Sequence, residues 1–450
     1  ASAETASWLG YRPGSEAMLL SGLARAIVDA GLQSQANRVS NVDEFRAWSK
    51  DLDARQVERA TGVPASVLRH VAEILARARR PAILFGPGFV SGRRDKEILA
   101  ALANLALLLS DTEVGFVPQD SNAWGALEMG VVPDRYPGRQ PLADIKVRNR
   151  LSSFWGTKLS PVEGLDFDAM MAAAREDRLK AMWIMKADPA MDCGGAGAAL
   201  EALSFLVVQD LYLTATAMQA DVVLPSASFA ETEGSYTNLT GRLQAFHTAM
   251  RPPGEAQPDW WIIVQMARRM VSSKQKRTWD LSGPADVLNE IARVVPSYRG
   301  LSFEAMGEHG WQHQEPPPAT RRTLVRVEAG AAPTSSEYPL TLMTGRLLYD
   351  RGPRLRRSGR IQNLVPDGYV MLHPADAQKL GLADGDDVSV VSAHGQLDSR
   401  TAVSDEIVPG VAFVPCNLET TPLSTLYADR WSLPQVTVVK RGSIDGSASG

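Results

Sequence analysis

Glu231, Thr237, Asn238 and Arg242 follow one another closely after an apolar run that ends in proline, Ala220-Asp221-Val222-Val223-Leu224-Pro225. A carboxylate, a hydroxyl, an amide and a guanidinium are the groups that grip phosphates, sugar hydroxyls and base edges. A plainer role is equally open to them: tying an irregular loop down, with Arg242 paired to Glu231 or Glu233. Asp210 closes another apolar run, 205–210, where a carboxylate takes a ribose or base edge or merely caps the next turn. Gly86-Pro87-Gly88 falls between a strand pattern and a helix pattern. It is a phosphate cradle or a tight turn. Pro87 lacks the N–H a phosphate wants, and the next glycine, Gly92, is one residue late for G-x-G-x-x-G. Thr344-Gly345-Arg346 opens a loop that also carries Arg351, Arg354, Arg356, Arg357 and Arg360, which docks an anion or an acidic partner, or is simply solvated.

No residue set points to catalysis within this chain. The two cysteines cannot build an iron–sulfur cluster or a structural zinc site. Cys193 in a Gly-rich turn and Cys416 after an apolar strand are taken as inert thiols. His309 and His313 stand at i, i+4 beside Trp311 and a Pro-rich stretch, a loop rather than a metal site. A net charge of −4 gives no footprint for nucleic acid. The longest apolar run, 98–109, is interrupted by Asn104 and too short to span a bilayer, so no direct membrane insertion is expected.

The elements that must position these groups divide the chain. Helices are predicted over 17–31 and within 42–79. Their apolar faces, such as Leu19, Leu20, Leu23, Ile27 and Val28, have no preceding strand to pack on. That implies cover from elsewhere, and a chain unstable on its own. Strands at 82–85, 180–185, 205–210 and 221–224 alternate with helices such as 96–109 and 260–272. This is an α/β pattern, implying one doubly wound, mostly parallel, Rossmann-like sheet. A Pro/Ala-rich linker at 315–336 leads to a β-barrel domain over 337–441, with strands at 340–343, 369–372, 387–392, 395–403 and 411–414 and a helix at 374–380. The divisions are thus 1–79, the end of an upstream domain; 80–314, α/β; 315–336, linker; 337–441, barrel; and 442–450, a flexible tail.

Five segments carry a resemblance: Arg12-Pro13-Gly14-Ser15-Glu16; Asn122-Ala123-Trp124-Gly125-Ala126-Leu127-Glu128-Met129-Gly130; 220–225 with 231–244; 252–260; and His373-Pro374-Ala375-Asp376-Ala377. Together they resemble the C-terminal two-thirds of molybdopterin oxidoreductases over 8–440. The resemblance implies that 337–441 is a double-psi β-barrel of the dinucleotide-binding kind. Any pterin dinucleotide would then be held by Gly86, Gly88, Asp210, Glu231, Thr237, Asn238, Arg242, Thr344 and Arg346. Within that superfamily the details look most like the large iron–sulfur (G-type) subunit of bacterial NADH:quinone oxidoreductase, complex I. Gly241, Asp350 and Ser424 stand where cofactor-holding relatives tend to carry Arg, His and Asn, and the loop after Gly88 lacks their polar stretch. This implies a degenerate pocket with no cofactor in this chain. Iron–sulfur clusters are then expected only in a missing N-terminal part or in partner subunits.

The expected role is that of a scaffolding segment of a peripheral-arm subunit. Its partners would be other subunits of a respiratory complex, and its place the cytoplasmic face of the bacterial inner membrane. The alternative is a truncated, formate dehydrogenase-like large subunit binding molybdopterin guanine dinucleotide. A third reading is a non-enzymatic module docking an acidic partner.

Overall fold

The computed structural model describes residues 8–35, 39–89, 95–272, 279–312, 322–328, 335–349, 355–416, 418, 423–427 and 433–441. Asp350, Arg351, Arg354, His313, the tail 442–450, much of the linker, and the side chains of Arg356 and Ser424 lie outside the described set. The chain forms two compact units, one from Ala1–Phe116 with Ala319–Gly450, the other from Val117–Pro318.

In the first unit the helix Glu16–Asp29 is the centre of a helical core. It ends as expected at Gly31, whose φ of +67° suits only glycine comfortably, with the Leu32 N–H closing on the Ile27 carbonyl. Leu23, Ile27 and Val28 are buried against the helices Ala54–Thr61, Ala65–Arg77 and Asp95–Leu108. A Cβ on Gly22 would stand 2.7 Å from Val57, so glycine allows a close helix crossing. The apolar faces are therefore covered within this chain, which corrects the expectation that their cover is missing. The helix that carries the apolar run 98–109 turns a face to the first helix.

The strand Ala82–Phe85 pairs in parallel with Glu113–Phe116 across the helix Asp95–Leu108. Ile83 and Phe85 pack onto the helical core. The single doubly wound sheet is thus divided: parallel pairing is present, but in two separate sheets. Alternation of strands and helices does not say which strands pair, and Glu113-Val114-Gly115-Phe116 is too short and mixed to announce itself as a partner.

The second unit holds the other parallel sheet, Ala181–Met185, Phe205–Asp210 and Val222–Pro225 in that order. Ile184, Leu206 and Val208 share a core with Met171, Ala174, Ala199 and Leu200 from the helices Phe167–Arg175 and Ala196–Glu201. A second core gathers Leu151, Leu243, Leu288, Val295, Tyr298 and Met306. The stretch read as a polar loop is a β-hairpin, Gly234–Thr237 with Arg242–Phe246, to which Trp311–Gln312 adds a third antiparallel strand.

Within the segment read as a linker, 315–336, the chain already returns to the first unit. The Asn41 amide exchanges two hydrogen bonds with the Leu324 backbone, and the buried Asn104 amide does the same with Val325. Asn104, an interruption in the apolar run, is a backbone clip. The barrel closes in the order Leu340–Gly345, Val411–Pro415, Val370–Leu372, Gln396–Val403, Asp387–Ser392, Gln435–Lys440. Its interior is the alternating set Leu340, Leu342, Val388, Val390, Val436 and Val438 with partners. The strand Gln435–Lys440 was not foreseen, although its valines alternate. In the helix Pro374–Leu380 the His373 ring accepts the Ala375 N–H, and the buried Asp376 accepts the Gly410 N–H at 2.6 Å, so that motif holds the barrel together.

Candidate functional site

The carboxyl edge of the sheet Ala181–Met185, Phe205–Asp210, Val222–Pro225 collects more polar groups than any strand pattern announced. Lys186, just past the first strand, has a φ of +51°. Its ammonium reaches Asp259 at 2.5 Å and the Ala227 carbonyl at 2.8 Å. Asp259, in the first turn of the helix Asp259–Met270, also accepts from the Gln209 amide at 2.5 Å and from the Ser226 hydroxyl. Gln209 Oε1 is buried with no hydrogen-bond partner among the described residues. Asp188 is buried and takes the Thr216 N–H at 2.8 Å and the Thr216 hydroxyl at 2.7 Å.

Asp210 is half-buried and accepts the Leu211 N–H at 2.6 Å. Burial pushes its carboxyl above the usual range. The Leu211 and Tyr212 N–H groups and Lys186 oppose the shift, and Asp188 adds to it. Sequence reasoning found Asp210 and missed Lys186, Gln209, Ser226 and Asp259. The available signals were a glutamine inside an apolar strand and Pro258-Asp259 opening a helix.

The constellation in the hairpin splits by role. Asn238 Oδ1 accepts from the N–H groups of Thr240 and Arg242, both at 3.0 Å, and from the Thr240 hydroxyl at 2.9 Å, which closes the turn. The Arg242 guanidinium donates to the His309 carbonyl at 2.9 Å rather than to Glu231 or Glu233. Glu231 accepts the Ser228 N–H at 2.9 Å. Thr237 is buried, its N–H donated to Asn122 at 2.9 Å.

The remaining candidates belong to the first unit. Gly86 accepts the Phe89 N–H at 3.1 Å in a tight turn. An added Cβ on Gly88 would meet no described atom within 4 Å, so there is room on that side of the residue. Thr344, near the end of its barrel strand, lies beside the Tyr427 phenol. Arg346 follows Gly345, where a Cβ would stand 3.1 Å from the Phe413 ring. Among the described residues no group of three or more His, Cys, Asp or Glu is arranged to hold a metal. No helix among them is long and apolar enough to cross a membrane.

Within the second unit, Asp210 is an acceptor suited to hydroxyl or base N–H groups, with Lys186 a nearby cation.

Residues 2–269 match the molybdopterin oxidoreductase family, and 340–438 match the molydopterin dinucleotide binding domain. The chain is 30% identical over 445 residues to the NADPH-Fe(3+) oxidoreductase subunit alpha of Geobacter sulfurreducens, covering 96% of this chain and 50% of that protein. It is 28% identical over 439 residues to the F420-dependent formate dehydrogenase subunit alpha of Methanocaldococcus jannaschii, covering 91% and 64%. It therefore spans half to about two thirds of the length of these relatives. Among solved structures, acetylene hydratase from Pelobacter acetylenicus superposes with a TM-score of 0.73 at 18% identity, over 97% of this chain and 72% of that one, a likeness of fold.

The two family matches point to a bound molybdopterin guanine dinucleotide, which overturns the expectation of a chain without cofactor. That expectation leaned on Gly241. Its φ of +74° shows why glycine stands there: the hairpin turn demands it, so its presence marks a turn rather than a lost cofactor contact. Asp350 and the Ser424 side chain, the other two departures, lie outside the described residues.

Proposed function

The chain belongs to the molybdopterin oxidoreductase family, and from that premise we propose that it is the cofactor-holding part of a formate dehydrogenase-like large subunit. The observation that carries this is the paired match, family domain and dinucleotide-binding barrel, spread over nearly the whole chain. The names of the relatives favour this reading over a segment of NADH:quinone oxidoreductase. The relatives are alpha subunits, which supports partner subunits that supply or accept electrons. The barrel is taken to be of double-psi type. Its parallel pairings, Thr341 with Val411 and Val370 with Thr401, within an otherwise antiparallel barrel support that topology.

When bound, the pterin supplies a metal centre able to exchange two electrons with substrate. The chain's own task is to hold and orient it. Asp210 accepts from the ribose or base, with Lys186 setting the local charge. On the first unit, the backbone of Gly86 and Gly88 and the side chains of Thr344 and Arg346 offer donors to phosphate oxygens. On the second unit, Thr237 and the turn closed by Asn238 with Arg242 join Asp210 as polar candidates, and Glu231 holds the neighbouring turn at Ser228.

The test is chemical. The full-length protein, purified from a host that makes molybdopterin, is denatured and oxidised, and the pterin derivative and GMP are quantified. Stoichiometric amounts of both are expected, and clearly less in Asp210→Ala. Their absence from wild-type protein made in a competent host overturns the reading.

A further inference from the structure

Two motifs that stood apart in the sequence meet at Thr237. Asn122 heads the helix Ala123–Glu128 yet makes no capping bond. Instead its Oδ1 accepts the Thr237 N–H at 2.9 Å, across a separation of 115 residues. A Cβ on Gly125 would stand 2.3 Å from that oxygen, so only glycine lets the amide cross the helix there. At the other end of the helix the Glu128 side chain is buried and accepts the hydroxyl of Tyr298, itself buried. The Arg139 guanidinium lies 4.0 Å from Glu128, and the Glu128 carbonyl accepts the Gly138 N–H. Tyr298 packs its ring on Trp311, centroids 5.9 Å apart, and lies beside the Thr237 side chain. Thr237 is thus held by its backbone through Asn122, with the Glu128–Tyr298 pair set against its side chain. Thr237 ends its strand immediately before the Asn238 turn.

We propose that Asn122, Glu128 and Tyr298 are positioning residues that fix Thr237 and the turn through Arg242 for the nucleotide portion of the ligand. None of the three is assigned a ligand contact; they act through Thr237. The proposal rests on the cofactor reading above for its purpose, but the clamp can be measured without cofactor.

The experiment uses the full-length protein and the variants Tyr298→Phe, Asn122→Ala, Thr237→Val and the double Thr237→Val/Tyr298→Phe. Amide exchange over 237–242 is compared with exchange in the strand Phe205–Asp210, which shares the unit but not the clamp. Tyr298→Phe and Asn122→Ala are expected to exchange roughly tenfold faster over 237–242, with the reference strand unchanged. In holoprotein, release of the pterin dinucleotide should quicken by a similar factor. The double variant should be no faster than Tyr298→Phe alone, since both changes remove one contact.

Wild-type exchange in both single variants overturns the clamp, as does equal acceleration in the reference strand, which marks general destabilisation. Asn122→Ala keeps the test decisive if Tyr298→Phe fails to fold. Wild-type protein without pterin sinks the functional reading, and the exchange arm then still decides the clamp. Faster exchange with unaltered pterin release overturns the role assigned to it.

Discussion

Asp210 shows at the scale of one residue how a site strains against its fold. A half-buried carboxylate is costly to ionise, and here burial outweighs the N–H groups that favour the charge. With its folded pKa raised, Asp210 contributes stability that is full below its unfolded value of 3.8 and is lost as pH rises through the folded value. Asp210→Asn in cofactor-free protein is therefore expected to melt above wild type at pH 7, with the gap closing as the pH falls below about 4. A gap that does not change with pH, measured by thermal denaturation, contradicts this. Lys186 tells a related story. A lysine at φ +51° is uncommon, and the ammonium it delivers to Asp259 and Ala227 is the compensation visible for that backbone. Asp210 was legible in the sequence because a carboxylate ending an apolar run is a local pattern. Lys186 and Asp259 were not, because their meeting depends on which strands pair and where a distant helix begins.

At the scale of elements, periodicity carried most of the fold. Alternating valines and leucines located five of the six barrel strands, and 3.6-residue spacing located the helix Glu16–Asp29 and its buried face. Pairing was not legible, since local sequence does not encode distant partners. Hence one expected sheet became two, and an expected loop became a hairpin. The helix Ala123–Glu128 offers the sharpest test of local against distant demands. Ala is the better helix former, by about 1 kcal/mol over Gly. Yet Gly125→Ala sets a Cβ 2.3 Å from Asn122 Oδ1. The substitution is expected to destabilise the protein by about 1–3 kcal/mol, because it evicts the amide that satisfies the Thr237 N–H. In Asn122→Ala/Gly125→Ala the second change should cost far less than it does alone. Additive losses in chemical denaturation contradict the argument.

At the scale of the molecule, the second unit is one continuous stretch, Val117–Pro318, with two apolar cores of its own. Residues 117–318 alone are therefore expected to unfold in a single cooperative thermal transition with near-ultraviolet circular dichroism. A broad, non-cooperative transition contradicts their independence. The first unit is different, because it is assembled from two stretches joined through the clips at Asn41 and Asn104. That sets a birth order. As the chain leaves the ribosome, the helical core must wait for Leu324 and Val325 while the whole of the second unit is made. At about 5–20 residues per second this interval is roughly 10–40 s. Through it the Asn41 and Asn104 amides have no backbone to hold, and Leu324 is absent from the core it later joins. The helical core is thus begun before the second unit and completed only after it, and during that interval it has much to gain from a chaperone.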